Sequence, residues 1–307
     1  GFTVTVLLCS GQGAQKPGMG ADLLGVPEVA DTFACGSDVL GVDLVKLTRE
    51  GSAEEINDAF NAQALTMTVS VGIARALMAR GLSVDGLVGF SLGEISALAL
   101  AEVLSLEDTY RLLKVRAQAM DEACKEHPGA MLALLGADEE SAYKLCADCA
   151  NDEVLVPANF NSPGQIVVSG EVSAIDRAEA AWKELGKRSA RLKTAGAFHS
   201  PLMSSAAETL GDFCETMTFA QPKITLVCNT DAEPFKAEEA ALRLKNQVKS
   251  SVLFYQSVRY FAAQGQTRFI EAGVGGVLFN LLKRIDKTLD RSKVGTKDEF
   301  DALCETL

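Results

Sequence analysis

The chain is poor in histidine, in basic charge and in unbroken apolar runs. Only His127 and His199 stand among its 307 residues, so any histidine chemistry must use one of these two. A zinc centre of ordinary composition has little to draw on. Cys146 and Cys149 form one C-x-x-C in "CADC" without a second ligand pair, and the expectation is two small apolar residues on a helix rather than a metal site. Lysine and arginine number 29 against 41 acidic residues, a net charge of −12. A general nucleic-acid binder needs a basic footprint, so that class is excluded, a local patch apart. The longest apolar run, Val88 to Leu106, is broken by Glu94 and Glu102, which argues against a membrane span. The opening "GFTVTVLLCSGQG" lacks a basic n-region and reads as a strand running into a glycine loop, not as a signal peptide. Eight scattered cysteines in a chain too long to need disulfide staples point to a reducing cytoplasm. Phosphate loops of the G-x-x-x-x-G-K-[ST] and G-x-G-x-x-G types are missing, as are internal repeats and low-complexity segments. Nothing demands more than a monomer.

What is present reads as an α/β protein. Val4 to Cys9 is an apolar run of the kind buried on both faces of a sheet, and "SGQGAQKPGMG" after it is a loop. Ala64 to Arg80 is a helix. "DGLVGF" is a second buried strand that ends at Ser91, and "LGEISALALAEVL" continues as a helix of good formers. A further helix runs from Ser105 and is stopped by His127-Pro128-Gly129. From Gly129 to Thr194 the order is strand "AMLALLG", helix "DEESAYKLCADCA", strands "EVLVPANF" and "GQIVVSG" joined by "NSPG", helix "EVSAIDRAEAAWKELG" and strand "KRSARLKT". This β-α-β-β-α-β order is that of ferredoxin-like folds. Residues 129–194 are therefore expected to form an inserted subdomain, with 1–128 and 195–307 making the main body. After the insert come a helix from about Pro201, a strand at "KITLVC", helices near Ala237–Val248 and Ser251–Gln264, a strand at "TRFIEA", and helices at "GVLFNLLKRI" and "KDEFDALCETL".

The chemistry centres on "LVGFSLGEI". Its G-x-S-x-G spacing, between a buried strand and a helix, is that of a tight turn that pushes the Ser91 hydroxyl outward. The rival reading is structural, since Ser91 and Glu94 also spell the S-x-x-E capping box. Capping leaves Gly89 and Gly93 unexplained. A serine nucleophile needs a base. His127 lies in "KEHPG" and resembles a solvated loop residue. His199, in "AGAFHSPLM", sits where the insert returns to the body, at the kind of junction that lines clefts; otherwise it merely precedes a helix start at Pro201. An oxyanion needs donors: the N–H of Leu92 follows from the turn, and Gln12 in "GQGAQ" offers a second unless that loop is an ordinary glycine turn. On the helix from Ser105 to Cys124, Arg116 lies about 80° from the centre of the apolar face and Arg111 about 140°. Arg111 is expected to be solvated. Arg116 sits at the boundary, where its fork could grip a carboxylate or pair with an acidic neighbour.

Taken together, "GQGAQ", "GFSLGE", "VRAQAM", "GAFHSPLM" and "LKNQVKSSV", in this order and spacing along nearly the whole chain, resemble the malonyl-CoA:acyl carrier protein transacylases. The resemblance implies an α/β-hydrolase-like core with a mainly parallel sheet and a ferredoxin-like insert. It implies transfer of a malonyl group from a CoA thioester to the phosphopantetheine thiol of acyl carrier protein, through a serine ester and with no permanently bound cofactor. Ser91 would carry the ester and His199 would be the base, its ring oriented by the backbone carbonyl of Gln247. The N–H groups of Gln12 and Leu92 would form the oxyanion hole, and Arg116 would hold the malonyl carboxylate. Phe198 and Leu92 would select malonyl over methylmalonyl, by similarity to related polyketide acyltransferases. Two stretches depart from the family: Phe90 stands where histidine is usual, and Ser251-Val252-Leu253-Phe254 where Pro-Val-x-Trp is usual. The former implies an altered local pocket rather than lost activity. An acidic carrier would need a local basic patch, for which Lys187, Arg188, Arg191 and Lys193, or Lys283, Arg284 and Lys287, are candidates. Rival readings are a loading acyltransferase for a polyketide pathway, a serine esterase or thioesterase, and a non-catalytic carrier-binding module.

Overall fold

The computed structural model describes residues 3–307. Its strands, in chain order, are β1 (Val4–Cys9), β2 (Gly86–Gly89), β3 (Ala130–Ala137), β4 (Leu155–Ser162), β5 (Gly164–Gly170), β6 (Ser189–Arg191), β7 (Thr225–Val227), β8 (Thr267–Ala272) and β9 (Asp290–Val294). Five of them form a wholly parallel sheet in the order β7-β2-β1-β8-β9. β1 is its central strand, and both β1 and its neighbour β2 are buried at every position, because a parallel sheet covered on both faces has no wet side. The alternation of side chains along β1 divides two cores. Leu7 and Cys9 face a core with the helices Ala59–Ala79, Leu92–Leu100 and Leu106–Glu126. Val6 and Leu8 face another with Phe254, Phe261, Leu278 and Leu282.

The other four strands make an antiparallel sheet, in the order β4-β5-β3-β6. Helices Glu139–Cys149 and Val172–Glu184 pack on it. Leu132, Phe160 and Trp182 belong to the same apolar cluster as Val6 and Leu8 of the parallel sheet, so one continuous core joins the two sheets. Cys146 and Cys149 are buried in that cluster, and burial pushes the Cys146 thiol up to about 12. Among the described residues no group of three or more metal-ligating side chains forms.

Three features escape the sequence pattern. The segment before the long helix is itself helical, at Pro27–Leu40, Leu44–Glu50 and Ala53–Asn57. The long helix starts at Ala59 rather than Ala64, because the Asp58 side chain accepts from the Asn61 N–H and caps it there. β9, "DRSKV", is an edge strand with only Val294 buried, so it carries none of the apolar alternation that betrays a half-buried strand. Helix Ala59–Ala79 is long and apolar enough to cross a membrane, but 83% of its apolar window is buried inside the fold. The C-terminal ends of β1 and β2, side by side in the sheet, deliver residues 10–12 and Ser91 to one edge. Open α/β sheets bind ligands at this edge.

Candidate active site

Ser91 follows β2 directly and takes φ 52°, ψ −105°, a conformation that L-residues avoid. The turn exists because its flanking residues have no side chains. A Cβ on Gly89 would fall 2.0 Å from the Glu94 nitrogen, and one on Gly93 would fall 2.1 Å from the Cys9 carbonyl oxygen. The capping alternative fails on its own terms. The Ser91 side chain makes no cap hydrogen bond to the helix. Glu94 does not reach back either; it accepts from the Asn229 N–H at 2.6 Å, while the Ser91 N–H donates to Asn229 Oδ1 at 2.9 Å.

The hydroxyl instead faces His199, with Oγ 2.8 Å from Nε2. On the far side of the ring Nδ1 lies 2.8 Å from the Gln247 carbonyl oxygen and 3.2 Å from that of Ser250. Two acceptors there fix the tautomer with the proton on Nδ1, leaving Nε2 as acceptor for the serine proton. No carboxylate takes part. His199 is 3% exposed and has φ 58°. It precedes the short 3-10 turn Pro201–Met203, which Ser200 caps, so it is not itself part of a helix start. Burial, reinforced by the Arg116 charge, lowers its pKa to about 4, so the ring is neutral at pH 7. His127 is the exposed C-cap of helix Leu106–Glu126, away from this cluster.

Arg116 corrects the boundary position read from periodicity: it is 1% exposed, among the most buried large side chains. Its Nη2 donates to Ser91 Oγ at 3.2 Å and to Gln247 Oε1 at 3.1 Å. Both partners are neutral, and no carboxylate forms an ion pair with it among the described residues. Burial lowers its pKa to about 10, against which the Glu94 charge acts, so it remains a cation at pH 7. Arg111 is exposed and pairs with Asp108 at 2.7 Å, as its helix angle implied.

No local pattern in the sequence announces the brace beneath these groups. Asn229, fully buried, holds the Ser91 N–H through Oδ1 and donates through Nδ2 to the Gly89 carbonyl at 2.6 Å. Gln247 Nε2 donates to the Ser91 carbonyl at 2.7 Å and to Asn229 Oδ1 at 3.2 Å. The Glu94 carboxyl, pushed up to about 7 by burial, closes the network. Asn229 lies just past β7, in "CNTD", where a polar residue after a short strand reads as a turn.

Gln12, Gln63, Ser91, Leu92, Arg116, Phe198 and His199 line one cavity of ≈ 140 Å³. Among the described residues neither the Gln12 nor the Leu92 N–H meets a protein acceptor, and both are thus free for an oxyanion. A second cavity, ≈ 240 Å³, shares Gln12, Phe90, Asn159 and Leu192 with the first and runs on to Asn161, Gln165 and Val277. A larger hollow of ≈ 730 Å³ near Arg75 and Leu104 contains none of these residues. Of the basic candidates, Lys193 lines the first cavity, Arg191 is tied to Asp176 and Glu179, and Lys187 lies over the Trp182 ring at 4.5 Å.

A family model described as an acyl transferase domain matches residues 6–297. The malonyl CoA-acyl carrier protein transacylase of Escherichia coli (strain K12) is 39% identical over 300 residues, covering 96% of this chain and 97% of its own length. The solved malonyl-CoA:acyl carrier protein transacylase of Xanthomonas oryzae pv. oryzae superposes with a TM-score of 0.95 at 38% identity, covering 99% of this chain and 98% of that one. A malonyl-transacylase solved in complex with a type II PKS acyl-carrier protein also gives 0.95, at 36% identity, with 99% and 100% covered. The two departures from the family pattern meet in space, the Phe90 and Phe254 rings packing 5.5 Å apart at 58°. Likeness of this extent, in sequence and in backbone alike, makes the chain a member of the malonyl CoA-acyl carrier protein transacylase family.

Proposed function

We propose that this chain moves a malonyl group from malonyl-CoA to the phosphopantetheine thiol of an acyl carrier protein, by way of an ester on Ser91. The reading is carried by one constellation: Ser91 Oγ lies 2.8 Å from His199 Nε2 and 3.2 Å from the buried guanidinium of Arg116. His199 takes the hydroxyl proton as Oγ attacks the thioester carbonyl. The resulting oxyanion is received by the N–H groups of Gln12 and Leu92. As the intermediate collapses, the C–S bond breaks and His199 returns the proton to the CoA sulfur. In the second half the pantetheine thiol gives its proton to His199, its sulfur attacks the ester, and Ser91 leaves with the proton restored. Both halves balance without a further cofactor, and one site serving two thiols implies ping-pong kinetics. Arg116 holds the free carboxylate of the malonyl group, which supplies the counter-charge that the buried cation lacks. Phe198 and Leu92, on the wall, limit the space beside the acyl carbon.

Several finer assignments belong to the same proposal. Residues 1–128 and 195–307 form the α/β-hydrolase-like core and 129–194 a ferredoxin-like insert. The β4-β5-β3-β6 order, with every neighbour antiparallel, supports the latter. The pathway served is fatty acid synthesis, with a polyketide carrier as the alternative that a relative's complex with a type II PKS acyl-carrier protein keeps open. Eight free cysteines support a cytoplasmic setting, and a monomer suffices for the chemistry. An esterase is disfavoured by the buried Arg116 and by the carbonyl partners of His199, where hydrolases usually place a carboxylate. Intact mass after incubation with malonyl-, methylmalonyl- and acetyl-CoA tests the whole scheme. One malonyl group per chain is expected, absent from Ser91→Ala. An active protein that shows no adduct would remove the covalent step.

A further inference from the structure

β8 carries an acid where a doubly covered sheet offers it no water. Glu271, in "FIEAG", is fully buried and stands beside Leu8 of β1. A carboxyl in such a place destabilises a fold unless its oxygens are engaged, and here each oxygen has a donor. Ser10 follows β1, two residues on from Leu8 and so on the same face; its hydroxyl donates to Glu271 Oε2 at 2.7 Å. The Phe279 N–H, in the first turn of helix Val277–Ile285, donates to Oε1 at 2.9 Å. The turn after β8 is shaped around the segment that Ser10 begins. A Cβ on Gly273 would fall 2.2 Å from Ser10 Oγ, and one on Gly275 would fall 2.4 Å from the Ala14 Cβ. That segment needs the support. Among the described residues no backbone hydrogen bond holds Gly11 or Gln12. Farther along, the Gly13 N–H donates to Gln15 Oε1 at 2.7 Å and Gln15 to Asn57 at 3.0 Å, both contacts open to water.

We propose that Glu271 is a positioning residue for the oxyanion hole: through the Ser10 hydroxyl it fixes the loop that aims the Gln12 N–H at the acyl carbonyl oxygen. The inference rests on the oxyanion role given to Gln12 above. A donor works there only if it is in place before charge develops on the oxygen, and about 1 Å of misplacement can cost about 100-fold in rate. Glu271 acts at two removes, by way of the Ser10 side chain and then the backbone. The rival reading makes it a plain helix cap, since Gly276 gives helix Val277–Ile285 no side-chain cap. Ser10 separates the two readings. Removing its hydroxyl cuts the tie to the loop and leaves the bond from Phe279 in place.

The test follows acylation of Ser91 in single turnovers, from malonyl-CoA and from acetyl-CoA. Ser10→Ala is expected to lower the maximal rate about tenfold or more. The loss should be equal for both acyl groups, because each thioester presents the same carbonyl. The half-saturating thioester concentration should not move, since the oxyanion contact forms only in the transition state. Ser10→Cys keeps the shape with a weaker donor; it should show a smaller loss of the same kind, and it serves if alanine packs badly. Glu271→Ala should lose at least as much as Ser10→Ala, and the double variant no more than Glu271→Ala, because both changes break one link. Glu271→Gln should keep most of the rate. Its Oε1 can accept from Phe279 while its NH2 donates to Ser10 Oγ, whose proton turns to the Ala272 carbonyl, already 3.4 Å away. Full-rate acylation by Ser10→Ala, a loss confined to malonyl, a shift in half-saturation alone, additive losses in the double variant, or a Glu271→Gln as slow as Glu271→Ala would each overturn the positioning role. Failure of the unaltered protein to take malonyl at all would overturn the functional reading instead.

Discussion

Gly89 and Gly93 leave no room for a side chain, which makes the serine turn testable one carbon at a time. Gly93→Ala places its methyl 2.1 Å from a buried carbonyl oxygen of β1, and backbone at that distance cannot move aside. A loss of about 3 kcal/mol or more is expected, read from the urea midpoint. As the proposed base, His199 is expected to set the pH dependence. Burial and the Arg116 cation both disfavour the protonated ring, so its pKa moves down, to about 4. The base form thus persists below the ordinary histidine value of about 6.5. The acid limb of kcat/KM for malonyl-CoA, which reports the free enzyme, should therefore fall well below that value; a limb at or above it would contradict the buried, cation-flanked ring. For Arg116→Ala, malonyl transfer should fall at least 100-fold more than acetyl transfer, about the weight of a charge-assisted pair. Equal losses would reject the carboxylate grip.

Two elements make the serine turn, and the segment after a third braces it. β2 and the helix Leu92–Leu100 supply the turn, while the residue after β7 ties that turn down. Asn229→Ala removes the acceptor of the Ser91 N–H and the donor to the Gly89 carbonyl together. About 2–3 kcal/mol of stability should be lost by denaturant titration, with slower loading of Ser91 in a stopped-flow burst. A fully stable, fully active Asn229→Ala would show that glycine geometry alone holds the turn. This brace also marks how far the sequence can be read. Ser91, His199 and Arg116 were legible because each sits in a patterned local context: a strand–glycine–helix turn, a lone histidine at a junction, a cation on an amphipathic helix. Asn229 sits 138 residues from its partner Ser91, and nothing in "CNTD" announces that contact. The face of Arg116 was readable but its depth was not, because helix periodicity gives an angle and says nothing of what other elements lay over it. The same limit hid β9, whose polar residues are permitted only by its place at the sheet edge.

Across the whole molecule the surface is acidic, with a net charge of −12, so attraction of an acidic carrier must be local. Arg191 is occupied by Asp176 and Glu179, whereas Lys193 is exposed and lines the cavity. Lys193→Glu is expected to raise the KM for acyl carrier protein several-fold and to flatten its salt dependence; an unchanged KM would dismiss that rim as a docking charge. The molecule's economy of charge shows once more behind the imidazole, where two peptide oxygens stand in place of an anion. In the proposed mechanism an imidazolium formed there would have no anion to stabilise it and would hand its proton on to whichever sulfur is departing. CoA and the carrier arm end in the same thiol, so neither side of the exchange is favoured by acidity. The two thioester pools are therefore joined by a reversible valve, and the direction of malonyl flow is set by whatever drains the carrier downstream.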